Sequence, residues 1–411
     1  MRPDARRISE ADPRFTPHTS RLFGAGRVQC RGSRIVRRSR TVNVEQVERI
    51  QQSHIYTVNI DTAKRHDIAP LPMPNETLHA NRLGGSTQAP PASYVPRSLD
   101  TLNVELAIAQ ETRDKLVRAV QLVFDGVRQT GVIGSGPVKK TVQGVILAAQ
   151  TCSTHSMFRA MSEERPFDPS LGDHSLTVCM LAMIMGQALG YDSTQLKDLA
   201  TGALLHDTGL LQLPPHLFHT VAPLSVKDRA TFCLHPPIGS IMIESQPDFS
   251  QAVCRIVAEH HVTPDGRGYP PEISADSTAE TSRIVMIADR YDELRIEFCG
   301  LRPLSSHAAI QQLLQEAEIG HLDSPLVSLF IKQVGIYPVY SIVELNTKER
   351  GMITAINPAT LQQPIVSLAY DEAGNPYRNP LTVDLSAQNQ PFTRSIKRVI
   401  PAESWEAIRA A

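Results

Sequence analysis

Seven residues of two chemical types stand out for what they could do together: His174, His206, Asp207, His235, His260, His261 and Asp289. Imidazole and carboxylate suit first-row divalent ions, and one carboxylate can bridge two ions where an imidazole cannot. Five histidines with two aspartates are therefore enough for two ions. Each position taken alone also has an ordinary explanation. His174 opens an apolar helical run, where a single histidine is commonly capped or buried. His206-Asp207 ends an apolar helix just before Gly209, and His235 precedes the turn signal Pro236-Pro237. The pair His260-His261, in HHVTPDGRGYP, is harder to explain that way. Adjacent helical residues diverge by ~100°, so both rings must be accommodated at one helix end. Asp289 closes the apolar stretch IVMIA, where an unpaired buried carboxylate is costly.

These residues need elements to hold them. From Leu102 to about residue 336 apolar residues recur at three- and four-residue spacing, which predicts a helical block. Its expected punctuation is Gly209 ending QLKDLATGALLHD, Ser225 capping VKDRATFCL, and Pro264 ending SQAVCRIVAEHH. The most apolar window, residues 176–191, is shorter than the ~20 residues of a bilayer span and reads as a buried helix, so no membrane span is expected. Short alternating runs on either side of a helical piece, VEQVERIQQS, predict a small N-terminal α+β domain over residues 1–66. A Pro/Gly/Ser-rich linker follows over 67–99. After the helical domain of 100–336, the runs SIVELN, GMITAIN, PIVSLAYDEAGNPY and TVDLS, with turn chemistry at Asn357-Pro358 and Gly374-Asn375, predict a C-terminal β subdomain over 337–411. The expected fold class is mainly α.

Composition removes several classes of function. The 41 Lys+Arg against 42 Asp+Glu give no global field for a nucleic acid polymer or an acidic membrane. The arginines between Arg27 and Arg40 form a short run without interleaved aromatics and read as solvated surface. The first residues lack the apolar core of a secretion signal. Six cysteines without a CxxC argue against a disulfide framework or a thiolate metal site, and fit a cytoplasmic protein.

The order HS at 174, HD at 206, HP at 235, HH at 260, DGxGYP from 265 and RIxxxAD from 283 resembles the HD-GYP family of HD-domain phosphohydrolases, whose members hydrolyse cyclic di-GMP. Residues 27–66 and the tail YPVYSIVELNTKERGMITAINP also look like the flanking parts of one HD-GYP subgroup. The resemblance implies an all-helical HD core. It implies a first metal on His174, His206, Asp207 and Asp289, and a second on His235, His260 and His261, with Asp207 as the bridging, catalytic residue. Two iron or manganese ions about 3.5–4 Å apart would then hold a bridging hydroxide for in-line attack on phosphorus. Products would be the linear dinucleotide or GMP. A third ion is not expected, because Ser170 stands where some members place a glutamate.

The same resemblance assigns substrate contacts to Arg283, Arg302, Gly268 and Tyr269, and protein partners to the GYP loop. Departures accompany the matches. Leu210 occupies a position where a family lysine would meet substrate phosphate, Thr220 stands where another lysine is common, and Leu304 follows Arg302-Pro303 where a tyrosine is usual. His216 and His219 read as surface histidines. Three readings follow: a cyclic di-GMP phosphodiesterase, a weak or inactive homologue that senses the nucleotide or docks partners, and a phosphohydrolase acting on another nucleotide. The amphipathic helix near 102–127 either covers the core or forms a homodimer interface.

Overall fold

The computed structural model describes residues 28–29, 59–60, 97–162, 171–217, 223–296, 302–388 and 393–401. The chain divides into two compact units, Met1–Thr87 and Gln88–Ala411. In the first, strands β1 (Val28–Gln29) and β2 (Asn59–Ile60) pair antiparallel, with Val28 opposite Ile60. The helical piece at 44–53 and most of the linker lie outside the described residues.

The second unit opens with α1 (Leu99–Thr130). It starts where the Ser98 hydroxyl accepts from the Thr101 N–H and stops at Gly131, whose φ of 70° is left-handed. There follow α2 (Ser135–Thr151), α3 (Thr154–Met161), α4 (Gly172–Ala188) and α5 (Ser193–Leu205). Helix α4 is buried on every side from Gly172 to Gly186, which is why its sequence is apolar all round. Asp192 and Gln195 close a reciprocal capping box at the start of α5. After two short 3-10 turns come α6 (Val226–Phe232), capped by Ser225 as expected, α7 (His235–Glu244), α8 (Gln251–Glu259), α9 (Glu280–Glu293), α10 (Ser306–Glu318) and α11 (Ser324–Val334). One continuous apolar core joins α1 to α11. Among the described residues no helix is long and apolar enough to cross a membrane.

Beyond Val334 the chain changes to strands: β3 (Ile342–Leu345), β4 (Arg350–Ala355), β5 (Ile365–Tyr370), β6 (Pro376–Asp384) and β7 (Ile396–Ile400). They form one antiparallel sheet in the order β6-β5-β4-β3-β7. The β5–β6 turn carries Gly374 at φ 89°, with the Asp371 carboxylate accepting from the Ala373 and Asn375 N–H groups. Strand β7, IKRVI, is absent from the runs expected by alternation. It is short and carries two cations, and it is held in place by pairing with β3.

Two expected helix stops fall elsewhere. Helix α5 ends at Leu205, and the chain runs on through Gly209 as a 3-10 turn, Thr208–Gln212. Gly209 does not cap anything. A Cβ there would collide with the His235 carbonyl oxygen and the Gly239 N–H, so the glycine lets this turn press against α7. Helix α8 ends at Glu259, five residues before Pro264, which leaves both His260 and His261 beyond its last turn. Replacing Gly209 with alanine is expected to lower stability by about 1–3 kcal/mol through overpacking. Chemical denaturation checks this, and an unchanged midpoint would refute the close-approach argument.

Candidate metal centre

Helix ends deliver most of the site. His206 is the residue after α5, His235 is the first residue of α7, His260 follows α8, and His174 is the third residue of α4; Asp289 alone comes from mid-helix, on α9. All are buried except His261, which is half-buried.

The ring orientations are fixed from behind. His206 Nδ1 lies 2.7 Å from the Ala203 carbonyl, His235 Nδ1 2.9 Å from that of Phe232, and His260 Nδ1 2.9 Å from that of Val257. A carbonyl only accepts, so each Nδ1 carries the hydrogen, and a ring in the neutral form then presents its lone pair at Nε2. His174 is held the same way by a carboxylate, with Nδ1 2.8 Å from Asp292. The four Nε2 atoms then meet in pairs, His174 with His206 at 3.2 Å and His235 with His260 at 3.1 Å. Where both rings of a pair are neutral, lone pair faces lone pair, an arrangement that a proton or a metal cation between the rings relieves.

Asp207 lies between the pairs. Its Oδ2 is 3.5 Å from both His174 and His206, while its Oδ1 is 3.2 Å from His235 and 3.7 Å from His260. One carboxylate thus offers one oxygen to each pair. Asp289 Oδ1 approaches His174 at 3.2 Å and His206 at 3.8 Å, and its Oδ2 comes within 3.9 Å of His261. Donor atoms of Asp207, His235, His260 and His261 all lie within 4.8 Å of one another, as do those of His174, His206 and Asp207, and those of His206, His260 and Asp289. The groupings interlock, and the donor set of nitrogen and carboxylate oxygen fits divalent cations.

The electrostatics suit a site for cations. Burial pulls the His206 imidazole down to about 4 and the His261 imidazole well below its ordinary value, so both are neutral at pH 7. Burial pushes the Asp207 carboxyl upward, but the surrounding imidazoles, when they carry a proton on the side facing it, outweigh burial and hold the group well below the carboxylate range. His174 goes the other way: burial would lower it, yet Asp207, Asp289 and Asp292 together raise it well above the ordinary imidazole range.

The remaining sequence candidates divide. Tyr269 forms a wall of the site, its ring stacked on His261 with centroids 4.5 Å apart and its N–H donating to the His261 carbonyl. Gly268 is not in the left-handed region that Gly266 adopts; a side chain at 268 would strike the His261 carbonyl and the Thr263 N–H, so it serves close packing. Arg283 is occupied by the fold, with Nη1 2.9 Å from Asp323 and Nη2 donating to the Thr278 carbonyl. Arg302 is exposed in the segment before α10. His216 is a surface residue beside Asp228, as expected. Ser170, His219 and Thr220 lie outside the described residues. Leu210 is buried in the main helical core, with 2% of its surface exposed, so a lysine at that position would begin inside an apolar environment.

Sequence reading assigned no role to three further carboxylates. Asp292, fully buried, orients His174; its signal was a second carboxylate three residues after Asp289 on the same apolar helix. Glu293 is pushed up to about 7 by burial and by Asp289, with Arg290 opposing. Asp265 ties the loop of Gly266–Pro270 down, accepting from Thr263 Oγ1 and the Arg267 N–H, with His321 Nδ1 3.1 Å away. No regular spacing announces that last contact.

The family profile described as HD domain matches residues 156–326, a span that holds every residue of the cluster. The chain is 25% identical over 232 residues to a cyclic di-GMP phosphodiesterase of Pseudomonas aeruginosa, covering 56% of this chain and 55% of that one. It is 24% identical over 237 residues to a cyclic di-GMP phosphodiesterase of Borreliella burgdorferi, covering 57% and 61%. It is 27% identical over 176 residues to a 3'3'-cGAMP-specific phosphodiesterase of Vibrio cholerae, covering 43% and 40%. The chain therefore spans little more than half the length of the first two of these curated relatives.

The burial of Leu210 makes Leu210→Lys a test of the local packing. The variant is expected to lose on the order of 3 kcal/mol of stability, because the ammonium must be desolvated or the turn displaced. Thermal denaturation measures the loss; a chain that melts unchanged would place position 210 on an open face.

Proposed function

We propose, from the premise that this chain is an HD-domain protein, that it is a metal-dependent phosphodiesterase that hydrolyses cyclic di-GMP, with the linear dinucleotide or GMP as the product. The observation that carries the reading is the opposition of imidazole lone pairs around Asp207, which a pair of divalent ions relieves. The names of the Pseudomonas and Borreliella relatives support the substrate.

In this reading His174, His206, Asp207 and Asp289 hold one ion, and Asp207, His235, His260 and His261 the other, with iron or manganese the candidates that the N/O donor set accommodates. When bound, the two ions supply Lewis-acid stabilisation of the attacking and leaving oxygens and acidify a water. The chain's own contribution is geometric. The carbonyls of Ala203, Phe232 and Val257 keep the lone pairs aimed inward, and Asp292 does so for His174. Asp207 keeps the two halves in register. The stacked pair His261 and Tyr269 closes one side and offers an aromatic face to a nucleotide base. Gly268 lets that wall come close, and Arg302, exposed nearby in sequence to α10, is the phosphate contact still available.

A second reading, nucleotide binding without efficient turnover, is favoured by one observation. Arg283 is paired with Asp323 and Leu210 is buried, so two positions expected to meet phosphate are otherwise engaged. Action on another cyclic dinucleotide is the third, in keeping with the name of the Vibrio relative. Protein partners at the loop of Gly266–Pro270, a homodimer, and a cytoplasmic location consistent with the free thiols of Cys152, Cys179, Cys233 and Cys254 complete the proposal.

Protein loaded anaerobically with Fe²⁺ or Mn²⁺ is expected to consume cyclic di-GMP, and Asp207→Ala to reduce turnover at least a hundredfold with loss of bound metal. Chromatography of the products and metal analysis on the same samples decide it. Two bound ions and nucleotide affinity without hydrolysis would establish the second reading, and hydrolysis of 3'3'-cGAMP alone the third. Asp292→Asn leaves the proposed ligands in place, and is expected to cost ~10–100-fold in metal affinity or turnover. Equal affinity in a competition titration would remove Asp292 from the site.

A further inference from the structure

Helix α1 carries a face that the core does not use. Leu102, Ala109, Leu116 and Val123 turn inward, whereas Val104, Ile108, Glu111, Lys115, Arg118 and Leu122 are all exposed. The three aliphatics are open to 60%, 53% and 73% respectively. Single exposed aliphatics need no explanation. These six, however, follow one another at intervals of four, three, four, three and four, the alternation that defines a coiled-coil seam.

The order of residues in the seam selects an orientation. The six positions are symmetric about the level of residue 113. Laid antiparallel about a two-fold axis there, Val104 of one chain faces Leu122 of a second copy, Ile108 faces Arg118, and Glu111 faces Lys115. Apolar contacts then close both ends, each Arg118 lays its aliphatic stem along Ile108, and opposite charges meet at the centre. The parallel alternative stacks Glu111 on Glu111 and Lys115 on Lys115, which repels. Within one chain Glu111 and Lys115 already pair at 2.7 Å, but with side chains 70% and 65% exposed that bond contributes little and is free to re-form across an interface.

We propose that α1 is a dimerisation helix, through which two copies of this chain associate antiparallel along Val104, Ile108, Glu111, Lys115, Arg118 and Leu122. This rests on the self-association put forward above and gives it a surface. Oligomeric state is read without substrate, so its failure and that of the phosphodiesterase reading are separable.

The test uses the full chain. Light scattering or sedimentation equilibrium is expected to show a dimer at tens of micromolar, and Leu122→Asp to weaken it at least tenfold with an unchanged circular dichroism spectrum, and with the parent's melting temperature once both are diluted to monomer, since the residue is exposed in one copy. Glu111→Lys is expected to weaken the dimer, and adding Lys115→Glu to restore it. Orientation is read by cysteine cross-linking against the parent chain. Val104→Cys combined with Leu122→Cys is expected to give an inter-chain disulfide, whereas Val104→Cys alone is not, because two copies of position 104 lie about 27 Å apart in the antiparallel pair at 1.5 Å rise per residue. A monomer at these concentrations, failure of the charge swap to rescue, or cross-linking by the single cysteine would each overturn the proposal.

Discussion

Three imidazoles whose Nδ1 hydrogens are engaged by backbone carbonyls, and a fourth engaged by a carboxylate, turn all four Nε2 atoms toward one another and toward Asp207 and Asp289. In water such rings would turn and solvate. Here burial forbids it, and the surrounding helices hold Nε2 atoms at 3.1 and 3.2 Å in contacts that are stabilising only around positive charge. Much else in the unit follows from maintaining that opposition. Helix α4 is apolar on every side because it runs through the middle of the bundle that brings these rings together. Gly209 and Gly239 are small because the turn after Asp207 has to press against α7 to bring its carboxylate between the two pairs.

Helix termini suit this task for a physical reason. The last carbonyls of a helix have no intrahelical partner, and a histidine just past the end can occupy one of them with its own Nδ1–H. His206 and His260 both use the carbonyl three residues back in this way, and His235 does the same with Phe232 at the end of α6. Each of these bonds satisfies an orphan acceptor and fixes a ring at the same time.

The cluster was legible in sequence because the chemistry restricts it to two residue types, and because imidazoles at helix ends and a carboxylate on an apolar helix are hard to place otherwise. The helical block and most strands were legible from periodicity. What escaped depends on contacts distant along the chain. Asp292 reads as an ordinary acid near a helix end until His174, more than a hundred residues earlier, is packed against it. Arg283 sits in a motif that suggests phosphate, and only the approach of Asp323 shows where its guanidinium goes. Gly209 looks like a helix stop because a collision with another segment cannot be seen locally. Strand β7 has too little pattern of its own and depends on an edge that β3 provides.

The anchoring of the rings also bears on how such a site can drift over generations. A backbone carbonyl is present whatever side chain its residue carries, so the orientation of His206, His235 and His260 is insulated from substitution at Ala203, Phe232 and Val257. His174 has no such insurance. Its orientation depends on a side chain that a single nucleotide change can replace, and inheritance can therefore adjust one half of the centre while the other half is shielded by the geometry of the main chain.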